Sequence, residues 1–149
     1  MKEYFMKEAL IEAKKAFEIG EVPIGAVIVR KNEIIARGYN LRETLKDPTA
    51  HAEIIAIKKA AQVLSSWRLT DCELYVTIEP CAMCAGAIVL SRLNKLVIGA
   101  MDPKGGAAGS LYNIVNDERL NHRAEVIYGI LESECSEIMK KFFRRLRGK

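Results

Sequence analysis

One stretch limits the fold of this chain more than any other. "CELYVTI" (residues 72–78) and "KLVIGAM" (residues 95–101) both read as strands, and an apolar run from about Cys81 to Leu93 between them reads as a helix. Strand–helix–strand in that order is a crossover unit, so the two strands are expected to lie parallel in one sheet. Any fold for this chain has to be built around that pair.

The remaining segments supply the rest of the sheet and its cover. Residues 2–19 place Phe5, Met6, Ala9, Leu10, Ala13, Ala16 and Phe17 at helical spacing, and Gly20 ends the run. "VPIGAVIVR" and "EIIARGYN" are β-branched runs on either side of Lys31-Asn32, which predicts a hairpin. Residues 50–64 return to helical spacing, and "AEVIYG" reads as a fifth strand. "ESECSEIMKKFFRRLR" reads as a closing helix with Ser133 as its N-cap. The expected fold class is therefore α/β, a three-layer α/β/α arrangement around a five-stranded mixed sheet. Without a repeat, a low-complexity run or a Pro/Gly/Ser linker, residues 1–149 are expected to form a single domain.

Composition narrows the setting. No stretch approaches the roughly 20 apolar residues of a membrane span. The N-terminal segment carries acids throughout and lacks the pattern of a cleaved leader, so a cytoplasmic location is expected. Four cysteines are too few and too unevenly spaced for a disulfide scaffold. Cys72 and Cys135 read as small buried hydrophobes. The net charge of +4 is uneven: the last ten residues hold six basic side chains and no acid, leaving 17 basic against 19 acidic residues elsewhere.

Two helices open with residues that bind metals. "DPTAHAE" puts His51 at a helix start with Glu53 two residues on, and "EPCAMC" does the same for Cys81 and Cys84. Pro80 suits a helix start because its missing N–H would be unpaired there. Cysteines three apart share one helical face, and their thiolates gain from the positive end of the helix dipole. An imidazole and two thiolates suit zinc, which takes such ligands tetrahedrally and, with three protein ligands, keeps a fourth position for water. His51 and Glu53 do not face the same way, so Glu53 is better placed to accept and return a water proton than to bind the metal. Two plainer readings compete. A structural zinc needs a fourth protein ligand, which neither Cys72 nor Cys135 offers at a recognisable spacing and His122 would have to supply. A thioredoxin-like dithiol has no use for the upstream His-x-Glu.

"HAE" followed by "PCAMC" resembles the signature of the zinc-dependent nucleobase deaminases of the cytidine/deoxycytidylate type. The likeness runs nearly end to end, through "EVPIGAV", "GYN", "DPKGGAAGS", "LNHR" and "FFRR", stretches more typical of the tRNA-acting branch. It implies a cytidine deaminase-like fold, zinc held by His51, Cys81 and Cys84, and Glu53 as proton shuttle. The implied reaction is hydrolytic: water displaces ammonia at C6 of adenine and leaves inosine. The implied substrate is the wobble adenosine of a tRNA anticodon loop, in the arginine tRNA with anticodon ACG, and the implied assembly is a homodimer. Asn40, Ile24 and Ala52 match parts of the base pocket, and Asp102 lies near the substrate backbone. Asn40 also reads as a turn residue closing the hairpin strand. "DPKGGAAGS" lacks the ending of a nucleotide-binding phosphate loop and reads as a surface loop opening a short helix at Ser110.

The basic tail separates RNA from a free base. Lys140, Lys141, Arg144, Arg145 and Arg147 surround Phe142 and Phe143; cations attract phosphate, and an aromatic ring stacks an unpaired base. Lys104, His122 and Arg123 are further candidate RNA contacts. The competing view is a closing helix whose Phe residues enter the core while its cations complement the helix C-terminus. Two other functions share the same features. A deaminase of free guanine, cytosine or a nucleotide needs no basic tail, and a zinc-stabilised RNA-binding module has no need of Glu53.

Overall fold

The computed structural model describes residues 1–148, with Lys149 outside the described residues. In chain order the elements are α1 (Lys2–Glu18), β1 (Gly25–Arg30), β2 (Glu33–Tyr39), α2 (Ala52–Leu64), β3 (Cys72–Ile78), α3 (Ala82–Leu90), β4 (Lys95–Ala100), β5 (Glu125–Tyr128) and α4 (Glu132–Arg147). The strands form one mixed sheet in the order β2-β1-β3-β4-β5. β1 is antiparallel to both β2 and β3, while β3, β4 and β5 run parallel. The crossover read from the sequence is therefore the centre of the sheet. Lys31 and Asn32, at φ of 52° and 63°, form the tight link between β1 and β2, the left-handed pair that a two-residue hairpin favours.

Alternation along the central strands divides the core into two layers. Ala26, Ile28, Leu74, Val76, Leu96 and Ile98 face α2 and α3, where Ala52, Ala56, Ala60, Ala85 and Ile88 meet them. Val27, Val29, Tyr75 and Val97 face the opposite side, against Phe5, Met6, Ala9 and Leu10 of α1 and Cys135 of α4. Each fully buried aliphatic side chain here contributes roughly 1.5–3 kcal/mol of transfer free energy. The alanines of α2 let it lie close to the sheet, and a glycine completes the fit. A Cβ on Gly38 of β2 would press on the backbone of α2 at Ala52 and Ala56.

Three details of the helices differ from the sequence expectation, although α4 covers the residues expected. α3 ends at Leu90 rather than Leu93, because Arg92, at φ 64°, turns the chain so that Leu93 enters the core beneath β4. α4 begins at Glu132 with Leu131, at φ 54°, as its N-cap; Ser133 lies inside the helix and caps nothing. No helix opens at Ser110, whose hydroxyl is engaged by Glu79 instead. Among the described residues no helix is long and apolar enough to cross a membrane.

Candidate active site

The site is assembled at the carboxyl ends of β3 and β4, the edge where open α/β sheets gather ligands. His51 is the N-cap of α2 and Cys81 the N-cap of α3, both with extended backbone and neither making a side-chain cap. Helix N-caps are usually hydroxyl or amide residues that bond to the first turn. Here those positions carry side chains that turn toward each other. Cys84, on the first turn of α3, joins them, and both helices present their positive ends to the cluster. His51 Nδ1 lies 3.6 Å from Cys81 Sγ and 3.5 Å from Cys84 Sγ. The three form a group able to hold a metal ion, with all ligand atoms within 4.8 Å of one another.

The charges in the cluster are strongly coupled. Hydrogen bonds from Cys84 and His51 pull the Cys81 thiol down to about 3. Its bond to Cys81 and its burial push the Cys84 thiol upward. His51 is raised, mainly by its bond to Cys81 and then by the charge of Glu53. Glu53 is 3% exposed, and burial pushes its carboxyl up to about 7. A carboxyl balanced near neutrality both takes and gives a proton readily.

Two buried carboxylates outside the sequence expectation hold the flanking loops. Glu79, at the end of β3 before Pro80-Cys81, accepts hydrogen bonds from the backbone N–H of Asp102 (2.9 Å), Ala108 (3.0 Å) and Ser110 (3.0 Å), and from the Ser110 hydroxyl. Burial works against its charge, but these bonds outweigh it and hold the carboxyl below the ordinary range. Glu21 accepts from the backbone N–H of Glu43 (3.1 Å) and Thr44 (2.6 Å), which fixes the 41–47 turn after β2. The only signal for either in the sequence is an acid within an apolar stretch, "EVPIGAV" or "TIEPC".

The other residues singled out from the sequence are distributed unevenly. Asn40 is buried, its amide donating to the Val22 carbonyl and its oxygen accepting from the Arg42 N–H, so it opens the turn after β2 and ties it to the segment before β1. Ile24 is half-buried, and the side chain of Ala52 belongs to the core. Asp102 is half-buried, and its carboxylate accepts from the N–H groups of Lys104 and Gly105. Asp102, Lys104, Lys140, Phe143, Arg144 and Arg147 together line one open groove. Phe142 does not reach it: 9% exposed, it packs edge-on against Phe17, whereas Phe143 is 38% exposed. Arg145 sits over the Phe17 ring, away from the groove. His122 and Arg123 lie at the opposite edge of the sheet, before β5. There His122 Nε2 bonds to the Leu93 carbonyl and Arg123 reaches the Glu118 carbonyl, so within one chain neither joins the cluster. Cys72 and Cys135 are buried free thiols raised by burial.

Known proteins match this chain along most of its length. The family model of the MafB19-like deaminases matches residues 1–147. A tRNA-specific adenosine deaminase of Bacillus subtilis (strain 168) is 58% identical over 147 residues, covering 99% of this chain and 91% of that protein. One from Aquifex aeolicus (strain VF5) is 54% identical over 147 residues, covering 99% and 97%. A structure from a study of A-to-I editing by tRNA:A34 deaminases at the wobble position superposes with a TM-score of 0.87 at 47% identity, covering 91% of this chain and 98% of that one. A guanine deaminase from Nitrosomonas europaea shares the fold at 24% identity and a TM-score of 0.80, covering 94% and 83%. Matched along nearly its whole length at more than half its residues, this chain is an enzyme of the tRNA-specific adenosine deaminase family.

Proposed function

We propose that this protein deaminates adenosine to inosine at the wobble position of a tRNA anticodon, using a zinc ion held by His51, Cys81 and Cys84. The observation that carries the reading is the convergence of one imidazole nitrogen and two sulfurs at 3.5–3.6 Å beside a buried carboxyl. Tetrahedral zinc with bonds of roughly 2.3 Å to sulfur and 2.0–2.1 Å to nitrogen requires a sulfur–nitrogen edge of about 3.6 Å. The donor set therefore fits zinc in distance as well as in chemistry. Zinc in that seat supplies Lewis acidity that lets water ionise near neutral pH.

The chain's own residues do the rest. Glu53 would accept a proton from the attacking water and deliver it to N1 of the purine as C6 is attacked; it would then take the proton of the new C6 hydroxyl and pass it to the departing amino group, so that the C6–N bond breaks as the C6 carbonyl forms. Water and adenosine give inosine and ammonia, with Glu53 returned to its starting state. Asn40 retains capacity for a purine contact alongside its turn bonds, and the family resemblance supports a role for it, with Ile24 and Ala52, in the base pocket.

An adenine in a duplex is out of reach, so the base has to be unpaired or flipped. An anticodon loop meets that requirement, and the family resemblance supports the arginine tRNA with anticodon ACG as the substrate. The groove lined by Lys104, Lys140, Arg144, Arg147 and Phe143 supports contact with phosphates and a stacked base. Residues 1–149 act as one domain, in the cytoplasm, as a homodimer. Trp67 and Leu90, large and exposed near the C-terminal ends of α2 and α3, support pairing of two copies through that face.

The test is turnover of purified protein on an ACG anticodon stem-loop beside free adenine, guanine, cytosine and their nucleosides. Inosine formed in the loop, with the small substrates untouched, is the expected result. Faster turnover of a free base than of the loop refutes the reading.

A further inference from the structure

We propose that Glu79 is a positioning residue for substrate RNA: its buried carboxylate sets loop 102–110 against the segment that supplies Cys81, and through that loop it sets the affinity for the anticodon. The inference rests on the RNA-editing function proposed above.

Glu79 is 4% exposed, yet its charge is met by three backbone N–H groups and one hydroxyl rather than by a cation. All four donors belong to residues 102, 108 and 110, so both ends of the loop converge on one side chain. Bonds to an ionised acceptor are roughly twice as strong as neutral ones. Between those ends, Gly106 passes so close that a Cβ there would overlap the carboxylate. A second tether follows at once, from the Ala107 N–H to the Pro80 carbonyl at 2.8 Å. The loop's own pairing is limited to a bridge between Ala108 and Asn113 and local turns. Core burial of Ala107 and Ala108 seats the middle of the loop, and the bonds to Glu79 and Pro80 tie it to the segment that leads into Cys81.

What the loop presents gives this placement its use. Asp102 and Lys104 form one wall of the groove whose other wall is Phe143, Arg144 and Arg147 of α4. If Glu79 releases the loop, that wall moves, while His51, Glu53, Cys81 and Cys84 remain on α2 and α3. The signature of the role is a split: weaker RNA engagement with metal and chemistry retained. A mutation that raises KM and leaves kcat in place has removed binding common to ground and transition states.

Glu79→Gln keeps the shape but turns an NH2 toward N–H donors, leaving at least one unpaired. Ser110→Ala removes a single donor, the hydroxyl, and serves as the milder variant that keeps the fold. Zinc content, kcat and KM on the stem-loop, and amide hydrogen exchange at residues 102–110 are measured for both and for the wild type. The expected result is full zinc, kcat within about threefold of wild type, and KM raised about tenfold in Ser110→Ala and further in Glu79→Gln, as loss of bonds to a charged group predicts. Faster exchange at Ala108 and Ser110 accompanies it. A KM unchanged in both variants overturns the inference, and so does loss of zinc together with kcat, which makes Glu79 a support for the ligands and not for RNA. Absence of stem-loop turnover by the wild type instead refutes the proposed function itself, so the two failures are told apart.

Discussion

Gly38→Ala tests whether the close approach of β2 and α2 builds the site as well as the core. A methyl on Gly38 would lie 2.9 Å from the Ala56 nitrogen and closer still to the Ala52 carbonyl oxygen. Carbon contacts are comfortable at roughly 3.5–4.0 Å, so α2 has to retreat by upwards of about 0.6 Å. The obstacle is helix backbone, which cannot swing aside as a long side chain would. Overpacking of this kind costs about 1–3 kcal/mol. For a domain of this size that is roughly 2–12 °C in the thermal midpoint. The first turn of α2 carries Glu53 and follows directly on His51. A displacement near 1 Å of catalytic groups can lower turnover by about 100-fold. Calorimetry and single-turnover deamination of the stem-loop measure the two effects. A midpoint and a rate both equal to wild type would refute the claim that Gly38 sets the seat of α2.

Further predictions concern the metal, the groove and acid stability. Cys81→Ala and Cys84→Ala should each lose bound zinc together with activity, and metal analysis showing full zinc in either removes that residue as a ligand. Arg144→Ala combined with Arg147→Ala should weaken stem-loop binding and flatten its salt dependence by roughly 0.7 for each phosphate no longer neutralised, with zinc unchanged. An unaltered salt slope would assign the groove no phosphate. Glu21 is held below the ordinary carboxyl range: burial opposes its charge, but hydrogen bonds from Thr44 and Glu43 and the charge of Arg42 prevail. Because its folded value is depressed, its contribution is complete above the unfolded value of about 4.3 and is lost as pH falls through the folded value. Glu21→Gln should therefore be less stable than wild type at pH 7, by about 1–3 kcal/mol for the stranded N–H groups. The gap should shrink as pH falls through the depressed folded value. A gap of constant size over that fall would contradict the assignment.

Much of the architecture is legible in the sequence because it depends on local periodicity. The crossover, the Lys31-Asn32 hairpin and the helical opening of the His51 and Cys81 segments all follow from residue order within short windows. Phe142 and Phe143 do not separate by spacing, since they follow Ile138 and Met139 by four residues each; only the packing of Phe142 against Phe17 of α1 tells them apart. Other features need the third dimension. Glu79 meets partners 23 to 31 positions away, and Glu21 meets partners 22 and 23 away, separations at which no periodicity reports contact. His122 and Arg123 look like companions of the basic tail in composition, but the direction of β5 carries them to the far edge of the sheet. Asn40 takes the turn role, one of the two alternatives that the sequence presents, through bonds to Val22 and Arg42.

The central claim is that a buried carboxyl beside a three-ligand metal seat performs the proton transfers of adenosine deamination on RNA. Glu53→Ala addresses it most directly, with zinc content, stem-loop affinity and inosine formation measured on one preparation. Full zinc, unchanged affinity and turnover reduced by about 100- to 10,000-fold are predicted, the usual share of general acid–base catalysis. Turnover within a few-fold of wild type, with zinc in place, would contradict the account.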